Sequence, residues 1–80
     1  MKTAEALHQA VASALRGIAP EADIDSIDPA ASLREQLDLD SFDFLNMLIT
    51  LQETVGVDIP EADYGRVDSL NALVAYLMAA

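Results

Sequence analysis

Apolar residues recur at helical spacing in three stretches of the chain, and no stretch shows the period-two alternation of a half-buried strand. The first stretch covers residues 3–16, where Ala4, Leu7, Val11, Ala14 and Leu15 form a stripe that Ile18 extends. Thr3 fits the N-cap, Glu5 the first turn, and Gly17 the end. The second stretch runs from Ser41 to Val55, with Leu45, Leu48, Leu51 or Gln52, and Val55 expected on one face and Gly56 as the stop. Asp40 is the expected N-cap there, because its short oxygen-bearing side chain can accept from first-turn amides. Asp43 lies where the helix dipole favours a negative charge. The third stretch starts at Asp68 or Ser69 and reaches about Ala79, with Leu70, Leu73, Val74 and Leu77 facing inward.

Between the first two stretches, Pro20 to Asp28 reads as an acidic loop. Asp23, Asp25 and Asp28 resemble the start of a calcium loop, but no glycine follows at the sixth position and Ile27 sits where an oxygen ligand is needed. No metal site is expected. An unstructured connection from Gly17 to Asp40 would be long for a small domain. Ser32 and Glu35 have capping-box spacing, so a short helix with Leu33 and Leu37 inward should pin it. Val57-Asp58-Ile59-Pro60 reads as an extended link, and Glu61 to Gly65 as no more than a short turn of helix. The expected architecture is all-α: a bundle of three longer helices plus short helical segments, with residues 1–80 as a single domain.

Composition narrows the function. A formal charge of −10 on 80 residues argues against a nucleic-acid partner, since phosphate binding needs clustered Lys and Arg, and the basic residues are only Lys2, Arg16, Arg34 and Arg66. The same charge either simply keeps the domain soluble and monomeric or, on a sharper reading, steers it toward basic partners. No apolar run approaches the ~20 residues that span a bilayer, so a cytoplasmic protein is expected. The chain has no cysteine, which removes disulfides, thiolate metal sites and any thiol of its own for covalent chemistry. A catalytic serine is also disfavoured: there is no Gly-x-Ser-x-Gly elbow, and the single histidine, His8, lies on the first helix.

The specific signal is Leu39-Asp40-Ser41-Phe42, placed after the long loop and opening the second long helix. Two other Asp-Ser-apolar runs exist, at Asp25-Ser26-Ile27 and Asp68-Ser69-Leu70. Ser26 has no helix to open, and Ser69 begins the last helix, where such a pair is an ordinary cap. Position selects Ser41. A hydroxyl there is exposed, and an anion joined to it meets free backbone N–H groups and the positive end of the helix dipole. In this arrangement the chain resembles the acyl carrier protein family, whose attachment motif is Asp-Ser-Leu. The resemblance continues through the helix to Val55, through Gly56-Val57-Asp58-Ile59-Pro60-Glu61, and into Val74-Ala75-Tyr76-Leu77, so that it covers nearly the whole chain.

That resemblance implies a carrier rather than an enzyme. A phosphopantetheinyl transferase would move 4′-phosphopantetheine from coenzyme A to Ser41, with Asp40 recognised by the transferase. The arm would supply the missing thiol and hold acyl groups as thioesters for acyl-transferring or acyl-modifying enzymes of fatty-acid, polyketide or related metabolism. Partner contacts are expected at Phe42, Asp43, Asn46, Met47 and Glu53, and an acyl-chain cleft at Leu45, Leu48, Ile59 and Leu73. Phe42 departs from the usual leucine, and only Asp43 and Glu53 are charged between Ser41 and Val55, which suggests a specialised carrier. Two alternatives stay open. A peptidyl carrier would share the fold, although its motif has glycines before the serine. An unmodified acidic adaptor would instead bind a partner through Phe42, Phe44 and Met47.

Overall fold

The computed structural model describes residues 3–80, and in them helix is the regular structure throughout. Four α-helices, α1 (Ala4–Ile18), α2 (Leu33–Gln36), α3 (Ser41–Val55) and α4 (Leu70–Ala79), are joined with two 3₁₀ segments, Ile24–Ser26 and Glu61–Arg66. The expected all-α bundle of three longer helices with short segments is therefore the fold. α1 packs against both α3 and α4. The core is wholly apolar, and Val11, Leu33, Met47, Leu48, Leu51, Val67, Leu73 and Leu77 in it are fully enclosed.

Local chemistry explains where each helix starts. The Thr3 hydroxyl accepts from the Ala6 amide at 3.1 Å, and the Ser32 hydroxyl from the Glu35 amide at 3.2 Å. α1 runs one residue past Gly17, which is helical rather than the stop the sequence suggested. Ile18 is held against the core and the Ala19 amide still reaches the Leu15 carbonyl at 2.7 Å, so burial outweighs the glycine's preference. Pro20 follows immediately and cannot continue the ladder.

The long connection is tied down at several points. Asp23 caps its own 3₁₀ turn, accepting from the Asp25 amide and the Ser26 hydroxyl, each at 3.1 Å. Gln36 bonds both the amide and the carbonyl of Asp28 at 2.9 Å. Across the bundle, the Leu33 amide donates to the Asp68 carbonyl at 2.6 Å and the Asn71 amide to the Pro29 carbonyl at 2.9 Å. These bonds fasten α2 to the start of α4. On the other side, Gly56 ends α3 at φ +77°, a left-handed geometry glycine takes without a Cβ clash, and Gln52 accepts from the Ile59 amide at 3.1 Å to hold the link that follows. Tyr76 of α4 donates to Asp63 at 2.7 Å, fixing the second 3₁₀ segment. That bond to a carboxylate raises the phenol's pKa above its ordinary value.

Candidate functional site

α3 begins where α2 ends, across Leu37, Asp38 and Leu39. Asp40 is the N-cap, in extended conformation, with Oδ1 accepting from the Asp43 amide at 2.8 Å. Its carbonyl accepts from the Phe44 amide at 3.1 Å. Because Asp40 does the capping, Ser41 enters as the first helical residue with its hydroxyl in solvent and uncommitted among the described residues. The amides of Ser41 and Phe42 are the orphan donors of the helix start.

Ser41 borders two hollows. One, of about 300 Å³, has an apolar floor made by Phe44, Leu45 and Tyr64, with Arg34 and Glu61 at its rim. The other, of about 500 Å³, is more polar and runs past Glu35, Asp38, Asp40 and Asp68, again with Arg34 in its wall. Arg34 is held in place by an Nε contact to Asp68 Oδ1 at 3.3 Å, and its Cζ lies 5.0 Å from the centre of the Phe44 ring. Asp68 also accepts from the Ser32 hydroxyl at 2.6 Å.

The expected partner face is largely on the surface, with one correction. Phe42 is 69% exposed, Glu53 is exposed, and Asp43 and Asn46 are half-buried. Met47 is fully buried and belongs to the core, so it is no part of that face. Leu48 and Leu51 of the expected row face inward, but Phe44 and Met47 complete the inward face of α3 in place of Leu45 and Val55, a rotation of less than one residue. The bulkier Phe44 and Met47 take the interior positions, and Leu45 and Val55 are left half-covered. Phe44 is 3% exposed, so two of the three side chains of the adaptor alternative are enclosed. Ile49, which lies on the same side of the helix as Phe42 and Glu53, is 43% exposed and extends the face.

Of the four residues expected along an acyl cleft, Leu45 lines the hollow beside Ser41. Leu48, Ile59 and Leu73 are closed inside the core and border neither hollow. Arg34, Glu61 and Tyr64 were not singled out as site residues by sequence reasoning, since their convergence on Ser41 is tertiary.

A helical bundle with a solvent-facing serine at the start of its second long helix is the frame of a carrier domain. The family model described as "Phosphopantetheine attachment site" matches residues 5–77. The acyl carrier protein of Rubrobacter xylanophilus is 30% identical over 56 residues, covering 70% of this chain and 69% of that protein. The acyl carrier protein of Lactobacillus johnsonii is 31% identical over 55 residues, with 69% of each chain covered. The chain belongs to the phosphopantetheine-dependent carrier protein family, whose prosthetic group is 4′-phosphopantetheine. The donor set suits such a group: a free hydroxyl to carry it, orphan amides for its phosphate, and an apolar hollow next to it.

Proposed function

We propose that this protein is an acyl carrier protein in which Ser41 carries the 4′-phosphopantetheine arm. The reading rests chiefly on the division of labour at α3, where Asp40 caps the helix and thereby leaves the Ser41 hydroxyl free and outward. When bound, the arm supplies the thiol that the cysteine-free chain lacks. The protein holds acyl groups and raises their effective concentration at partner enzymes, while catalysing nothing itself. Asp40, exposed beside the serine, presents its remaining carboxylate oxygen to the modifying transferase.

The partners we propose are a phosphopantetheinyl transferase and acyl-handling enzymes of fatty-acid, polyketide or related metabolism, met in the cytoplasm by a monomeric carrier. No helix among the described residues is long and apolar enough to cross a membrane. Phe42, Asp43, Asn46, Ile49 and Glu53 form the docking side of α3. Its two carboxylates and exposed Phe42 and Ile49 favour partners with a more apolar socket than a strongly acidic helix would require, hence a specialised carrier. Leu45 lies where the arm's cargo can find apolar shelter.

Intact-protein mass spectrometry after incubation with coenzyme A and a broad-specificity transferase tests the assignment. One phosphopantetheine is expected on the parent and on Ser69→Ala, and none on Ser41→Ala. An unmodified parent would sink the carrier reading. For specialisation, the test is elongation of the acylated protein by housekeeping ketoacyl synthases; a rate equal to that of a general fatty-acid carrier would refute it.

A further inference from the structure

A phosphodiester on Ser41 adds a negative charge at a strongly acidic point of the surface. Glu35, Asp38, Asp40, Glu61 and Asp68 line the two hollows that Ser41 borders. Among the described residues, Arg34 is the one cation lining either hollow, and with Ser41 it is the residue common to both. Its side chain is 42% exposed. Its position is fixed from two directions, by the Nε bond to Asp68 and by the Phe44 ring beneath the guanidinium. The terminal Nη groups have no acceptor among the described residues, so the planar end of the side chain keeps its paired donors.

We propose that Arg34 binds the phosphodiester on Ser41, donating from its Nη groups to the non-bridging oxygens, while Asp68 and Phe44 hold the guanidinium in place. A planar fork of donors suits the two oxygens of a phosphodiester, which a solvated ammonium matches less well. The orphan amides at the start of α3 favour the same anion from the other side. Arg34 offsets the repulsion from the surrounding carboxylates and holds the root of the arm toward the α2 side of Ser41, above the apolar hollow. This inference rests on Ser41 as the attachment residue.

The experiment compares apo and phosphopantetheinylated forms of the parent, Arg34→Met, Arg34→Lys and Glu35→Gln, each checked by intact mass. The phosphorus-31 resonance of the modified protein is expected to move toward its unfolded-state position in Arg34→Met, to move less in Arg34→Lys, and to stay in Glu35→Gln. Arg34→Met loses its contacts to Asp68 and Phe44 in the apo form as well, so stability is read as the Tm difference between modified and apo forms. That difference should fall by roughly 3 °C in Arg34→Met relative to the parent, the size of a partly exposed ion pair in a domain this small. A phosphorus resonance unmoved by Arg34→Met overturns the assignment whatever the melting temperatures do. Failure of every variant to gain mass overturns the Ser41 reading itself, and this inference with it.

Discussion

The chain contains the same Asp-Ser pair at the start of two helices and uses it in opposite ways. At α3 the aspartate is the cap: Asp40 takes the Asp43 amide, and Ser41 becomes the first helical residue with its hydroxyl outward. At α4 the frame is shifted by one. Ser69 is the cap, its hydroxyl accepting from the Ala72 amide at 3.1 Å, and Asp68 is drawn into contacts with Ser32 and Arg34. One serine is thus spent on its helix and the other is released from it. The dipeptide does not decide between these outcomes. What decides is which of the two residues takes the extended cap conformation, and α2 docked on Asp68 sets that at α4. The tripeptide alone therefore does not tell which serine hydroxyl is left free, whereas the cap assignment does.

The largest expected effect separates the two serines outright. Ser41→Ala should abolish phosphopantetheine addition, whereas Ser69→Ala should leave it intact, as read by intact mass. Modification that persists in Ser41→Ala and disappears in Ser69→Ala would reverse the comparison. Stability should show the opposite ranking. Asp68→Ala removes the acceptor of the Ser32 hydroxyl and of the Arg34 Nε, and should cost about 2 kcal/mol, or roughly 10 °C in Tm. Ser69→Ala removes a cap and should cost about 1 kcal/mol. Ser41→Ala, with no bond to lose, should stay within about 0.5 kcal/mol of the parent. Equal losses from the two alanines in urea unfolding would mean that Ser41 is tied down after all.

Asp40→Asn sharpens the distinction between capping and recognition. Asparagine caps a helix about as well as aspartate, so stability should change by less than about 0.5 kcal/mol. The transferase, which we propose reads the carboxylate, should lose at least tenfold in kcat/KM. Asp40→Ala would then lose the cap as well, about 1 kcal/mol more. If Asp40→Asn is modified at the parent rate, the acidic charge is irrelevant and the cap alone accounts for the aspartate.

The same comparison shows what could be read from the sequence. Helix number, order and caps were legible because Thr3, Ser32 and Asp40 lie directly before apolar stripes and act through local bonds. Ser41 was legible for the same reason, as a residue whose neighbour could cap for it. The inward face of α3 was legible only in part: Leu48 and Leu51 are buried as expected, Leu45 and Val55 are not. Seven of its fifteen residues, Phe42, Phe44, Leu45, Met47, Leu48, Ile49 and Leu51, are large and apolar, so several rotations of the helix present an acceptable stripe, and packing against α1 selects among them. Met47 consequently moved from the expected docking face to the core. Arg34 could not be found from spacing at all. Its significance depends on Asp68, which lies 34 residues away in sequence, and on a ring and a hollow that exist only in the folded bundle.

The smallest effect tests how the chain enters the α3 start. Asp38 adopts φ +53°, the left-handed region, whereas Val67, which precedes the Asp68-Ser69 pair, is at φ −120°. The left-handed residue lets the Leu39 amide turn back to the Arg34 carbonyl at 2.9 Å, closing α2 in the manner of a Schellman end and aiming the chain at Asp40. A side chain in that region costs about 1 kcal/mol or more, and aspartate is among the residues that tolerate it best. Glycine removes the clash but raises the entropy of the unfolded chain by roughly 0.5–1 kcal/mol. The two nearly cancel, and removing a charge near Glu35 and Asp40 adds a slight gain. Asp38→Gly should therefore leave Tm unchanged or raise it by no more than about 3 °C, while Asp38→Ala should melt about 5 °C below the glycine variant. Equal stability of the two variants would show that residue 38 leaves the left-handed region once the aspartate is gone. The path into Ser41 would then be set by α2 and Asp40 rather than by the turn between them.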